Sequence, residues 1–67
     1  MKAAKVLKGK KLDAFVDQLF YKHGNRIQFN ILNLGKISQA GRDGYASGGE
    51  EGAEAGVIAA IAKYREN

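Results

Sequence analysis

One stretch constrains the fold more than any other. Arg26-Ile27-Gln28-Phe29-Asn30-Ile31 alternates polar and apolar residues without interruption, and a period of two is the mark of a strand with one buried face. Ile27, Phe29 and Ile31 are expected to point inward, leaving Arg26, Gln28 and Asn30 on the opposite face. A single strand carries unpaired backbone N–H and C=O groups along both edges, and these need partners wherever they are buried. The rest of the chain is therefore read by asking where that partner lies.

The preceding segment is helical. From Lys11 to His23 the residues Leu12, Phe15, Val16, Leu19, Phe20 and His23 recur at three and one, one face of a helix. Asp13 and Asp17 sit near its start and Lys22 and His23 near its end, as the helix dipole prefers, and Gly24 offers a left-handed cap. The segment from Asn33 to Ser47 admits two readings. Leu34, Ile37, Gly41 and Tyr45 repeat at three and four and describe a helix capped by Asn33, although Gly35, Gly41 and Gly44 each cost about 1 kcal/mol there relative to alanine. The alternative is a hairpin with a turn at residues 33–36 and a second strand from Ile37 to Ala46, an α-β-β-α order. Residues 37–46 do not alternate, so the helix is preferred. Gly48-Gly49 breaks the chain, and Glu50 to Glu66 reads as a final helix with acidic first turns, Lys63 and Arg65 in the last, and a contact stripe of Ala53, Val57, Ala60, Ile61 and Tyr64 that Ile58 and Ala62 widen. Gly52, Gly56 and Ala60, four apart, suit close packing against another helix. The expected core is Phe15, Leu19, Phe29, Ile31, Leu34, Ile37, Val57 and Ile61.

The fold class that follows is mainly α with one short strand, in the order α-β-α-α. With residues 33–47 helical, no second good strand exists to pair with residues 26–31. The expectation is a homodimer in which the strand pairs with its own copy across a twofold axis, as an antiparallel ribbon. The whole chain, residues 1–67, is one domain, because so short a chain buries only about 60% of the surface its unfolded form exposes. It has no cysteine, hence no disulfide or thiolate metal site to reinforce a thin core, and self-association is the remaining means.

Charge is unevenly placed. Residues 1–42 hold nine Lys or Arg against Asp13 and Asp17, whereas residues 43–67 hold Lys63 and Arg65 against five carboxylates. Lys2, Lys5, Lys8, Lys10 and Lys11 form a basic arm at residues 1–10 and just beyond, suited to a phosphate backbone or an acidic protein surface. No apolar run approaches the ~20 residues of a membrane span and no long apolar block follows the first lysines, so no membrane association, no secretory signal and a cytoplasmic location are expected.

Enzymatic parts are missing. His23 is the one histidine, Ser38 and Ser47 have no neighbouring base, Glu50-Glu51 are adjacent and so diverge on a helix, and the glycines of residues 41–52 are followed by glutamates rather than by the Lys-Ser or Lys-Thr of a phosphate loop. The expectation is a non-enzymatic binding protein with no cofactor, no metal and no small-molecule substrate.

The order strand, helix, helix over residues 26–66, with Gln28-Phe29-Asn30-Ile31 at its head, resembles the ribbon-helix-helix family of DNA-binding repressors of the Arc and MetJ type. The resemblance implies a dimeric transcription regulator whose ribbon enters the major groove. There Gln28 and Asn30 would bond adenine edges and Arg26 guanine, while Lys2, Lys5, Lys8, Lys10 and Lys11 add affinity without specificity. The alternative is a small accessory or inhibitor protein, of the kind phages and mobile elements encode, that docks its basic half on an acidic protein surface.

Overall fold

A computed structural model describes residues 6–66 of the 67. The elements run α1 (Lys10–Gly24), β1 (Gln28–Phe29), α2 (Ile31–Tyr64) and β2 (Arg65–Glu66). Helix α1 starts at Gly9, whose φ of 61° is easy only for glycine. The helix therefore does not run back into residues 6–8. It ends one residue later than the apolar phase requires. Gly24 is not a left-handed cap but a buried helical residue, and a Cβ there would lie 3.3 Å from Ile61 Cδ1 and from Phe20 Cε1. The chain reverses instead at Arg26, whose φ is 113°.

That reversal shortens the expected strand at one end, and a helix start shortens it at the other. Asn30 Oδ1 accepts from the Leu32 backbone N–H at 2.8 Å, an N-cap that begins α2 at Ile31. The cap is thus Asn30 and not Asn33. Only Gln28 and Phe29 remain as β1, and their partner comes from within the chain: β1 pairs antiparallel with β2, Gln28 opposite Glu66 and Phe29 opposite Arg65. The final helix stops at Tyr64 to allow this, two residues before the expected end. A lone strand with no partner in its own chain was the reason for expecting a ribbon across a dimer, and β2 supplies that partner.

Residues 33–47 are helical, as the three-and-four spacing predicted, and the hairpin alternative is not formed. Gly48 (φ −144°, ψ 16°) and Gly49 (φ 67°, ψ −150°) depart from helical geometry. They divide α2 into two arms, residues 31–47 and 50–64, that fold back on each other. The arms meet through glycine. The backbone of Gly44 lies against Gly52, so close that neither position has room for a Cβ, and a Cβ on Gly56 would stand 2.6 Å from the Ala40 carbonyl oxygen. The Gly52, Gly56, Ala60 spacing does serve close helix packing. It also explains why glycines that weaken a helix in isolation sit inside one here: the contact needs their missing side chains.

Helix α1 packs across the two arms. Gly41 is the contact point, since a Cβ there would lie 2.7 Å from Val16 Cγ1 and 2.8 Å from Val57 Cγ2. Val16, Leu19, Ile37, Ala53, Val57, Ala60 and Ile61 are buried, and Leu12, Phe15, Phe20, Ile27, Phe29, Tyr45 and Tyr64 pack against them half-buried. Leu19, Ile37, Val57 and Ile61 are thus core residues as expected, with Phe15 and Phe29 at its edge. Ile31 and Leu34 are not core. Ile31 is 78% exposed and Leu34 36% exposed: α2 begins at Ile31, so the alternation that turned Ile31 inward no longer applies, and Leu34 only flanks α1 beside Phe20 and Tyr21. Phe15 meets Tyr45 edge-on at 6.1 Å, and the Tyr45 hydroxyl accepts from the Leu7 N–H at 2.9 Å, tying residues 6–8 to the bundle.

Candidate nucleic-acid interface

The two strands, the end of α1 and both ends of α2 come together at one end of the bundle. Arg26 and Gln28 are exposed there, and with Ile27, Arg65 and Glu66 they line a depression of about 320 Å³. Gln28 and Glu66 are directly opposed, so they share one face of the two-stranded ribbon. Phe29 turns the other way, onto Phe20 at a centroid distance of 5.3 Å.

Next to the ribbon, Tyr64 closes one end of the groove between the two arms. Lys36 Nζ lies 5.8 Å and Lys63 Nζ 5.2 Å from its ring centroid, cation–π geometry that gathers two ammonium groups on one aromatic. The groove, about 500 Å³, has Ala40, Gly56, Ala59 and Ala60 along it and Gln39 and Asp43 at its far end. Arg26, Lys36 and the Lys63-Tyr64-Arg65 segment therefore bring four cations to one end of the molecule from three separate points of the chain. Of these only Arg26 was a candidate from sequence. Lys63 and Arg65 read as charges matching a helix dipole, and nothing in the linear order links Lys36 to Tyr64.

The remaining candidates fall elsewhere. Asn30 uses its side-chain oxygen to cap α2. Lys8, Lys10 and Lys11 are exposed at the start of α1, separated from Arg26 by the length of that 15-residue helix, about 22 Å. Lys2 and Lys5 lie outside the described residues. The three alternating side chains are thus not one reading row: Arg26 precedes the strand with a reversed φ, Gln28 stands on it, and Asn30 ends it.

His23 belongs to the fold. Its Nε2 is 2.8 Å from Glu54 Oε2, with Lys22 Nζ 3.7 Å from the same oxygen, so α1 is clipped to the second arm of α2. The hydrogen bond from His23, then the charge of Lys22, hold the Glu54 carboxyl below its ordinary range. Arg42 makes the matching clip on the first arm, 3.2 Å from Asp13 Oδ1. Among the described residues no group of His, Cys, Asp or Glu is arranged to hold a metal, and no helix is long and apolar enough to cross a membrane. Comparison with protein-family models, with curated proteins and with solved structures gives no match to this chain.

Proposed function

We propose that this protein is a non-catalytic binding protein that engages duplex DNA through the ribbon end, as a transcription regulator would. The observation carrying the reading is a pair of neighbouring basic features at the ribbon end: Lys36 and Lys63 gathered on the Tyr64 ring, and Arg26 with Arg65 and Gln28 lining the depression beside the strands. Clustered cations positioned by helix and strand ends neutralise phosphates, and the counterions released supply the affinity. The backbone of Arg26 supports it: a φ of 113° is strained for any side-chain-bearing residue, and such strain concentrates at binding sites. Base reading falls to Arg26 and Gln28, whose forked donors and paired donor and acceptor suit guanine and adenine edges. Lys8, Lys10 and Lys11, with Lys2 and Lys5, extend phosphate contact along the duplex.

An acidic protein surface is the second reading, favoured by Tyr21, Ile31 and Leu32, which are 69%, 78% and 79% exposed. Exposed large apolar side chains near a charged site suit a protein partner. A salt titration against random duplex DNA separates the two. Micromolar binding at about 50 mM salt is expected, with log K falling steeply against log salt. The Lys36→Gln/Lys63→Gln pair should reduce the magnitude of that slope by about 2. Absence of binding at low salt, or a slope untouched by the two substitutions, removes DNA and leaves the protein partner.

A further inference from the structure

The groove between the arms of α2 is lined by α2 alone. Lys36, Ala40 and Asp43 recur at four and three along the first arm, and Gly56, Ala59 and Lys63 at three and four along the second, so each row is one helix face. The arms run antiparallel, as the facing pairs Gly44 with Gly52 and Ala40 with Gly56 require. Lys36 and Lys63 consequently stand at one end and Asp43 at the other. Between them the walls carry nothing larger than a methyl group at Ala40, Gly56 and Ala59. The space left is about 500 Å³, within the range of roughly 300 to 1,000 Å³ usual for small-molecule sites.

The two ends differ in how far their charges are satisfied. At the acidic end Gln39 Nε2 donates to Asp43 Oδ1 at 2.8 Å, and Gln39 Oε1 accepts from Arg42 at 2.9 Å. At the basic end Lys36 and Lys63 share the Tyr64 ring, and among the described residues neither ammonium has a carboxylate within salt-bridge distance. The ring attracts each cation only weakly at an exposed site and does not answer their mutual repulsion. An anion placed there does. The wall leading away from it is uncharged for about 10 Å, the helical rise from Lys36 to Asp43, and so accepts a hydrocarbon chain.

We propose that this groove binds a single-headed amphipathic anion, a carboxylate on an unbranched alkyl chain, with its head on Lys36 and Lys63 and its chain along Ala40, Gly56 and Ala59. At about 1.3 Å of advance per carbon, about eight carbons span the uncharged wall. Asp43 supplies discrimination, because a second carboxylate at the far end of the chain would be set against it. Binding of this ligand does not require DNA binding. Its consequence does rest on that reading: the head group takes the two lysines that would neutralise phosphate, so the ligand opposes the duplex.

Titration of the full chain with sodium octanoate at constant ionic strength, without DNA, should give saturable amide shifts centred on Ala40, Gly56, Ala59 and Lys63, with a Kd on the order of 1 mM. Hexanoate should bind several-fold more weakly, each buried methylene being worth up to about four-fold, and octanedioate at least about ten-fold more weakly. Lys36→Gln/Lys63→Gln should weaken octanoate at least ten-fold. Ala59→Phe, at an exposed position, should fill the groove and abolish the shifts with an unchanged helical circular dichroism spectrum. Octanoate should also displace duplex DNA where butyrate at equal concentration does not. Octanoate bound by a protein that ignores DNA leaves the site standing and removes the antagonism, whereas DNA binding without saturable octanoate shifts removes the site. Octanedioate bound as tightly as octanoate, or a titration indifferent to both the lysine pair and Ala59→Phe, would equally overturn the proposal.

Discussion

Gly44→Ala and Gly35→Ala are the same chemical change in the same helix arm, and the structure gives them opposite signs. At Gly35 a new Cβ meets nothing within 4 Å. Alanine there gains only helix propensity, about 1 kcal/mol. At Gly44 the new Cβ runs into the Gly52 carbonyl, with the Gly52 carbonyl carbon at 2.8 Å and Ala53 Cα at 3.3 Å. These are backbone atoms of the facing arm and cannot swing aside, so the arms must part by about 1 Å and loosen their contacts at Ala53 and Val57. Overpacking of this kind costs about 1 to 3 kcal/mol, and the upper end applies where backbone meets backbone. After the propensity gain, a net loss of about 2 kcal/mol is expected. A domain of this size has roughly 3 to 10 kcal/mol in all, so the melting temperature should fall by about 8 to 16 °C, while Gly35→Ala raises it by about 4 to 8 °C. Urea and thermal unfolding followed by circular dichroism at fixed protein concentration measure both. If Gly44→Ala proves as stable as Gly35→Ala, the arms are not packed backbone to backbone and the glycine argument fails.

Two further outcomes concern the ribbon end and the clip. Arg26→Gly should relieve about 1 to 3 kcal/mol of backbone strain against an entropic cost of about 0.5 to 1. Urea midpoints should therefore rise while DNA affinity drops, and a lower midpoint would show that φ at residue 26 is not strained. Glu54 is held below its ordinary value of 4.5 by His23 first and Lys22 second, so its contribution to stability is fully present above that value and is lost as the pH falls through its depressed folded value. Glu54→Gln should accordingly destabilise the protein at pH 7 but scarcely in acid where the folded carboxyl is itself protonated, and an equal effect at both would refute the clip.

Local pattern was enough for the helical content. The spacing of Leu12, Phe15, Val16 and Leu19, the three-and-four repeat through Ile37 and Gly41, and the break at Gly48-Gly49 each act over one or two turns of chain. Leu19, Ile37, Val57 and Ile61 could be placed in the core because a helix face repeats wherever it packs. The strand was legible only as a tendency. Alternation from Arg26 to Ile31 describes side chains and says nothing of which backbone groups find partners. Asn30 had two uses, to extend the strand or to cap α2, and the choice fell to the cap because the return of residues 65 and 66 satisfies β1 over just two positions. That return depends on the length of the second arm and on the fold-back at Gly49, which no window of neighbouring residues contains. The basic end has the same origin. Lys36 and Lys63 are 27 positions apart and reach one tyrosine ring only after Gly44 and Gly52 let the arms close. Sequence determined which segments coil and which faces are apolar, since those follow from neighbours. Tertiary contact alone decided which carbonyl meets which glycine, and with it where the charges gather.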